Sequence, residues 1–426
     1  MSQRNIQPRV LVLGTLDTKY DEYLFVKEVL TTYGVEPIMA DFGTFSDSSV
    51  EADFDARYIA KMGGAEIGTL QDPKEGSETR AHAMKIMTDG LIAVLEKLIA
   101  GKEIHAIFGM GGSGGSSVIS EVMRRAPIGL PKLLVSTMAS SDVSGYVGIS
   151  DMTIMHSVTD ILGLNRLSRK ILRNAAAATA GMAKAYSRKV DHVKAERRPL
   201  IAVTMFGVTT PCVRRVSRLL EEHDFEVVVF HAVGSGGKAM ELLIRENMID
   251  GVIDITTAEL VDEQYDGKFQ ADSRRLRGVV TTGIPAVVVP GGMEILNFGT
   301  VESVPKKYRV PERKLIVHNT SVCAVRVNKD EAAFLGQVFA SRLEGARGNV
   351  RVVIPTRGFS NYCKLPDGPW IDEEADAAFI AAYELNVDDS IPTRKLEMNI
   401  NDVDFASVLI EEFLDIWKSH NLGVLK

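Results

Sequence analysis

Short apolar runs alternate along this chain with longer segments in which apolar residues recur every three to four positions. RVLVLG (9–14) is the first run; EYLFVKEVLTTYG (22–34) follows with helical spacing and stops at a glycine. EPIMADFG (36–43) predicts a second strand. Ser77 and acidic Glu78 open a helical pattern reaching about Ala100, where Gly101 suits a C-terminal cap. IHAIFG (104–109) and KLLVS (132–136) predict buried strands, and MTIMHS (152–157) a fifth. Residues 165–189 form a long helical pattern with a small-residue centre from Ala175 to Gly181, suited to packing between halves of the chain or between subunits.

The charged stretch RKVDHVKAERRP (188–199) interrupts this order and reads as a linker or exposed turn. The alternation then restarts with LIAVTMFG (200–207), EVVVFHA (226–232), GVIDIT (251–256), AVVVPGG (286–292), KLIVHN (314–319), VRVVIP (350–355) and KLEMNI (395–400). Continuous apolar strands separated by helices imply parallel sheets covered on both faces. The expectation is therefore an α/β protein of two domains, 1–195 and 196–426, with an open doubly wound sheet favoured over a barrel in the second.

Composition narrows the function classes. The 426 residues are 45% hydrophobic and 25% charged, as in ordinary soluble domains. A net charge of −7 argues against nucleic acid as the main partner. No stretch approaches the roughly 18 consecutive apolar residues of a membrane span, and the N-terminus lacks the apolar core of a signal peptide. Three widely separated cysteines (Cys212, Cys323, Cys363) fit a reducing cytoplasm, not a disulfide framework.

The densest chemical signal is GMGGSGGSS (109–117), where five of the seven residues from Gly109 to Gly115 are glycine. It lies between a predicted strand and an amphipathic segment, the context in which backbone N–H groups and a helix N-terminus hold an anion. It is not a GxxxxGK[ST] P-loop, and its GxGxxG match follows a later strand than the first. Phosphate binding at Gly111, Gly112, Ser113 and Gly114, with hydroxyls from Ser116 and Ser117, competes with a turn that merely lets helix and strand pack closely. In parallel sheets, ligands sit outside the carboxyl ends of strands. That places GTLDTK (14–19) and DFGT (41–44) beside the glycine run, with Asp17, Thr18, Lys19 and Thr44 as further candidates. Asp and Thr there equally suit a helix cap, and Asp41 either a ribose contact or a turn. The long stretch 62–84 reads as a lid, with Arg80 either reaching a phosphate or forming a surface ion pair.

The second half offers a second glycine loop, GSGGKAM (234–240), as another anion nest near Lys238. His231, Asp254, Glu259, His318 and Asp402 fall at predicted strand ends, with His231, Asp254 and Glu259 as candidate acid–base groups. Each alone also fits a structural hydrogen bond. Cys212 sits at a predicted helix start, where a thiol pKa can fall.

Taken together, GTLDTK, GMGGSGGSS, the pair Ser150–Asp151, TMFGVTTPC (204–212), FHAVGSGGKAME (230–241), DITTAELVDE (254–263), NFG (297–299) and HN (318–319) resemble an uncharacterised bacterial, fungal and plant family. That family includes the N-terminal ATP-binding region of the tomato mosaic virus resistance protein. The resemblance covers nearly the whole chain. It implies two Rossmann-like domains, an ATP site with Mg2+ and a homodimer. It also implies nucleotide contacts from Asp17, Thr18 and Lys19 and phosphate contacts from Gly111, Gly112, Ser113 and Gly114. The functional expectation is a cytoplasmic ATP-binding protein whose interdomain cleft holds a small anionic metabolite for a ligase- or kinase-like reaction. The alternatives are a non-catalytic ATP-gated dimer or partner-binding module, and a metabolite hydrolase with regulatory ATP.

Overall fold

Two all-parallel sheets carry the architecture, one in each of two compact units, Met1–Ala195 and Glu196–Lys426. The computed structural model describes residues 7–45, 51–71, 77–188, 198–364 and 368–424. Most of the charged 188–199 stretch lies outside them.

The strands of the first unit are β1 (Arg9–Gly14), β2 (Glu36–Asp41), β3 (Ala106–Gly111), β4 (Lys132–Ser136) and β5 (Thr153–His156), in the spatial order β2-β1-β3-β4-β5. Its helices are α1 (Leu16–Thr32), α2 (Ala56–Met62), α3 (Ser77–Ala100), α4 (Ser113–Met123), the single turn α5 (Ser144–Val147) and α6 (Arg166–Ser187). Alternate strand residues serve opposite faces, as the two-residue period of a strand requires. Leu11 and Leu13 pack under α2, α3 and α4, while Val10 and Val12 pack under α1 and α6. The small-residue face of α6 (Ala175, Ala176, Ala180 and Ala183) is spent on its own unit's sheet, which corrects the expectation of a packing role between halves or subunits. Small side chains let this helix lie close to β3 and β4.

The second unit has β6 (Leu200–Met205), β7 (Glu226–His231), β8 (Gly251–Thr256), β9 (Ala286–Gly291), β10 (Ile295–Phe298), β11 (Leu315–Asn319), β12 (Val322–Arg326), β13 (Val350–Pro355) and β14 (Thr393–Leu396). Its helices are α7 (Thr210–Glu222), α8 (Ser235–Arg245), α9 (Glu259–Gln264), α10 (Arg277–Thr282), α11 (Lys329–Arg342), α12 (Glu373–Asn386) and α13 (Val403–Val424). The main sheet runs β14-β13-β9-β8-β6-β7, so its first four strands in space from the β7 edge repeat the connectivity of the first unit. Both units are Rossmann-like. The run KLIVHN departs from expectation. It leaves the parallel sheet and joins an antiparallel sheet ordered β10-β12-β11. A tight turn explains the change: Asn319 Oδ1 accepts from Ser321 N at 2.8 Å, folding β11 back onto β12.

Two other local readings need correction. The first helix starts at Leu16, ahead of the EYLFVKEVLTTYG pattern: Leu16, Asp17 and Thr18 make an opening turn after Gly14 ends β1, and a non-helical break at Lys19 (φ −137°) precedes the main body. Thr15 at its N-cap makes no side-chain cap; Asp41, at the end of β2, supplies one instead by accepting from Leu16 N at 2.9 Å and from Gly43 N at 2.8 Å. That carboxylate is buried and serves the turn. The stretch 62–84 is not one long lid: its described parts are the end of α2, a short turn at Ile67–Leu70 and the start of α3.

Candidate functional site

In the first unit the chain leaves β1 toward β2 on one side, and β3 lies on the other. The loops therefore diverge at the carboxyl ends of β1 and β3, where open α/β sheets form their ligand crevice. A cavity of about 580 Å³ occupies this place. Asp17, Thr18, Lys19, Thr44, Arg80, Gly111, Gly112, Ser113 and Gly114, dispersed over residues 17–114, all line it. Phe42, Phe45, Leu70, Met84 and Met87 form its apolar wall.

The glycine run divides into two roles. A Cβ on Gly109 would lie 2.5 Å from Ile119, and one on Gly111 would lie 3.0 Å from the Gly115 backbone, so these two let α4 close onto β3. A Cβ on Gly112 would meet only Thr137 Oγ1 at 3.9 Å, and one on Gly115 would meet nothing within 4 Å. Those glycines open onto the cavity. The close-packing reading of the run is thus realised by Gly109 and Gly111, while Gly112 and Gly115 leave the cavity side open. Gly112 caps α4 with no side-chain hydrogen bond, which leaves the amides of the first turn facing the cavity mouth. Ser116 is not a ligand hydroxyl. It is fully buried, donates to Gly111 O at 3.1 Å and pairs with Ser136 Oγ at 2.7 Å.

Around that helix start stand two cations. Lys19 Nζ reaches Ile161 O at 2.5 Å and keeps further donor capacity. Arg80 is exposed, makes no hydrogen bond or ion pair among the described residues, and lies 3.7 Å from the Cβ position of Gly114. Asp17 is the cavity's carboxylate. Its Oδ2 accepts from Phe45 N at 3.1 Å, its Oδ1 is buried with no hydrogen-bond partner among the described residues, and it occupies the space a Cβ on Gly43 would need (2.5 Å). Thr18 Oγ1 lies 3.0 Å from Thr15 Oγ1, and the Thr44 carbonyl accepts from Gln71 at 2.6 Å. Beneath the cavity lies a residue that sequence reasoning missed. The buried Tyr23 hydroxyl contacts Leu13 O at 2.7 Å and Met110 O at 2.6 Å, tying β1 to β3 across the crevice. Burial raises its pKa strongly.

The second unit treats its candidates differently. Glu259 is fully buried; its Oε1 accepts from Gly234 N at 2.6 Å and Gly237 N at 3.1 Å. The nest of the second glycine loop is thus filled by the chain's own carboxylate, not left for a ligand. Arg275, 1% exposed, binds Glu259 Oε2 through Nε at 2.8 Å and pairs with both oxygens of Asp254. Asp254 also accepts from Thr204 Oγ1 at 2.7 Å, and a third acid, Glu241, lies 3.8 Å from Arg275. These carboxylates have no free lone pair turned to solvent, so the geometry makes Asp254 and Glu259 structural. His231 is exposed and is not brought to them: no hydrogen bond or ion pair links it to either acid among the described residues. Nothing short of the fold announces Arg275; in the sequence it is one of several arginines in ADSRRLRG (271–278). Cys212 is buried and its thiol is pushed up to about 12, the reverse of an activated nucleophile.

Other family-resembling residues also have structural roles. Asp151 pairs with the buried ammonium of Lys132, which also donates to Pro127 O at 3.0 Å and Leu130 O at 2.8 Å. His318 lies 3.4 Å from the Tyr362 hydroxyl. Among the described residues no three His, Cys, Asp or Glu side chains gather as a metal site, and no helix is long and apolar enough to cross a membrane.

Residues 8–188 match the model of the uncharacterised protein family UPF0261 N-terminal domain, and 198–417 match its C-terminal domain. A UPF0261 protein of Clostridium tetani is 38% identical over 96% of this chain and 98% of its own length. Another from Rhizobium meliloti is 38% identical over 96% and 99%. The ToMV resistance protein Tm-1(GCR237) of Solanum lycopersicum is 34% identical over 96% of this chain and 56% of its own length. A Streptomyces glycosyltransferase solved with thymidine diphosphate aligns over 95% of the chain at 12% identity, but its TM-score of 0.19 gives that likeness no weight. Matched in both halves and end to end by its relatives, the chain belongs to the UPF0261 family.

Proposed function

We propose that the first unit binds ATP in the crevice between β1 and β3, with its phosphates on the amides that open α4. The observation that carries this reading is the uncapped α4 N-terminus turned into a cavity that also holds Lys19 and Arg80. A helix start offers unpaired N–H groups and the positive end of the macrodipole, and two flexible cations add charge neutralisation. The cavity volume falls within the ordinary range for small-ligand sites, about 300–1,000 Å³. Phe42, Phe45, Leu70 and Met87 supply apolar surface for a base. The choice of ATP among phosphate ligands follows the resemblance noted in the sequence.

Mg2+ would accompany the nucleotide. That ion commonly takes one or two carboxylates plus phosphate oxygens and water. Asp17, whose Oδ1 has no hydrogen-bond partner among the described residues, is the side chain that fits. The structural locking of Asp254 and Glu259 favours ATP as a bound ligand of the first unit over chemistry run by those two acids. A ligase- or kinase-like reaction would need a base other than those two acids.

Calorimetry with Mg·ATP on Gly115→Asp tests the site. An acid at this position suits the first turn of α4, so the fold is retained. Its charge opposes a phosphate, and affinity should fall at least about ten-fold, as ~1.4 kcal/mol or more of repulsion would give. Unchanged affinity in this variant and in Gly112→Val would refute the assignment.

A further inference from the structure

The second unit repeats the divergence of loops seen in the first, this time at β6 and β8. The bottom of that crevice is closed by hydroxyls: Thr209 Oγ1 meets Thr256 Oγ1 at 2.8 Å. What stands above it is aromatic. Phe206, the first residue after β6, lies 5.9 Å from the His231 ring at the end of β7 and 6.1 Å from Phe269 in the loop after α9. The two phenylalanines are half-buried and His231 is exposed. Tyr362 packs on the same small apolar cluster as Phe206, and its hydroxyl faces His318. Four segments far apart in sequence therefore bring rings to one place. Gly234 makes this possible: its φ is +82°, and a Cβ there would lie 3.0 Å from the Gln270 carbonyl, so the 269–270 backbone rests directly on the β7–α8 loop.

Charge at this rim is unspent. Lys268 Nζ lies 5.7 Å from the Phe269 centroid and donates to Ser321 O at 2.8 Å, yet pairs with no acid among the described residues. His231 has ring contact with Phe206 and no polar partner among the described residues. Half-exposed aromatic faces offer offset or edge-on stacking to another planar ring, and an adjacent ammonium selects for negative charge. Their place at the carboxyl ends of strands, where the connections diverge, is where such sheets take ligands.

We propose that the carboxyl edge of the second sheet carries a second ligand site, one for a planar organic anion of the aromatic carboxylate class. The ring lies against Phe206 and Phe269, and the carboxylate turns to Lys268 and His231. Every residue of this site belongs to the second unit, and the proposal does not rest on the nucleotide reading of the first.

Benzoate is the probe, with cyclohexanecarboxylate as a non-planar anion and benzyl alcohol as a planar neutral control, followed by saturation-transfer NMR on the full chain. Benzoate should bind more tightly than either control. Phe269→Ala should weaken it roughly three- to ten-fold, as loss of one stacking contact does. Lys268→Gln should bring benzoate down to the level of benzyl alcohol while leaving benzyl alcohol unchanged. Equal binding of the three probes, or benzoate binding indifferent to both substitutions, would overturn the proposal. Lys268 is exposed and Phe269 half-buried, and unchanged tryptophan fluorescence of the variants confirms that the second unit has kept its fold.

Discussion

Arg275→Leu tests the reading of the second unit's polar centre. The guanidinium of Arg275 answers three buried carboxylates: it binds Asp254 through two nitrogens and Glu259 through Nε, with Glu241 at 3.8 Å. Leucine fills part of the volume but leaves these acids in a low-dielectric interior without a cation. Removing one partner of a buried pair typically costs about 3–5 kcal/mol. In a unit of this size, each kcal/mol moves a melting midpoint by roughly 2–4 °C, so a fall of about 6–20 °C is expected. Both tryptophans, Trp370 and Trp417, belong to the second unit, so intrinsic fluorescence follows its transition without signal from the first. The deficit must also depend on pH. Burial already holds the Glu241 carboxyl above its ordinary range while Arg275 draws it down, so losing the guanidinium raises it further. A folded pKa above the unfolded one means that stability present at acid pH is lost as pH rises. The gap between variant and wild type should therefore widen from pH 5 to pH 8. A shift below about 1 kcal/mol, or one of equal size at both pH values, would show that the cluster is not held as an ion network.

Glu241 and Asp262 extend this to the wild type: burial raises each to about 7, so the second unit should lose stability as pH climbs from 5 to 8. Glu241→Gln should flatten part of that slope in fluorescence-monitored melts; an unaltered slope would discount the assignment. Asp151→Asn removes the counter-ion of buried Lys132, and because Asp151 is 38% exposed the expected cost is at the lower end, about 1–3 kcal/mol by thermal melting, with no loss meaning the pair is dispensable. Cys212, Cys323 and Cys363 are all buried and free, so a thiol-specific disulfide reagent at pH 8 should find none in the native protein and three after denaturation. Rapid native labelling of any one of them would contradict its placement.

Much of the fold was legible from periodicity, because parallel strands covered on both faces leave continuous apolar runs. RVLVLG, IHAIFG and GVIDIT needed no tertiary knowledge. KLIVHN was legible as a strand but not as to its sheet, since antiparallel pairing depends on the Asn319–Ser321 turn and on β10 and β12, each only four or five residues long. At the first site, proximity in space was foreseen because strand ends share one edge, and Asp17, Lys19, Arg80 and the glycine run do line one cavity. In the second unit the same rule grouped His231, Asp254 and Glu259 too generously. Strand-end position does not say whether an acid turns outward to solvent or inward to Arg275. That choice is settled by a residue in an irregular loop, with no periodic signature.

The carboxylate of Glu259 also sets the terms on which the second glycine loop meets the cell. A free phosphate arriving at Gly234 and Gly237 competes with a ligand joined to the same chain and already oriented. Even a short flexible tether gives a local concentration on the order of millimolar, and a rigid one far more. An outside anion must exceed that local concentration to displace it. Two glycine loops of similar spelling therefore differ in kind: the first opens onto a cavity, and the second is a lock whose key never leaves.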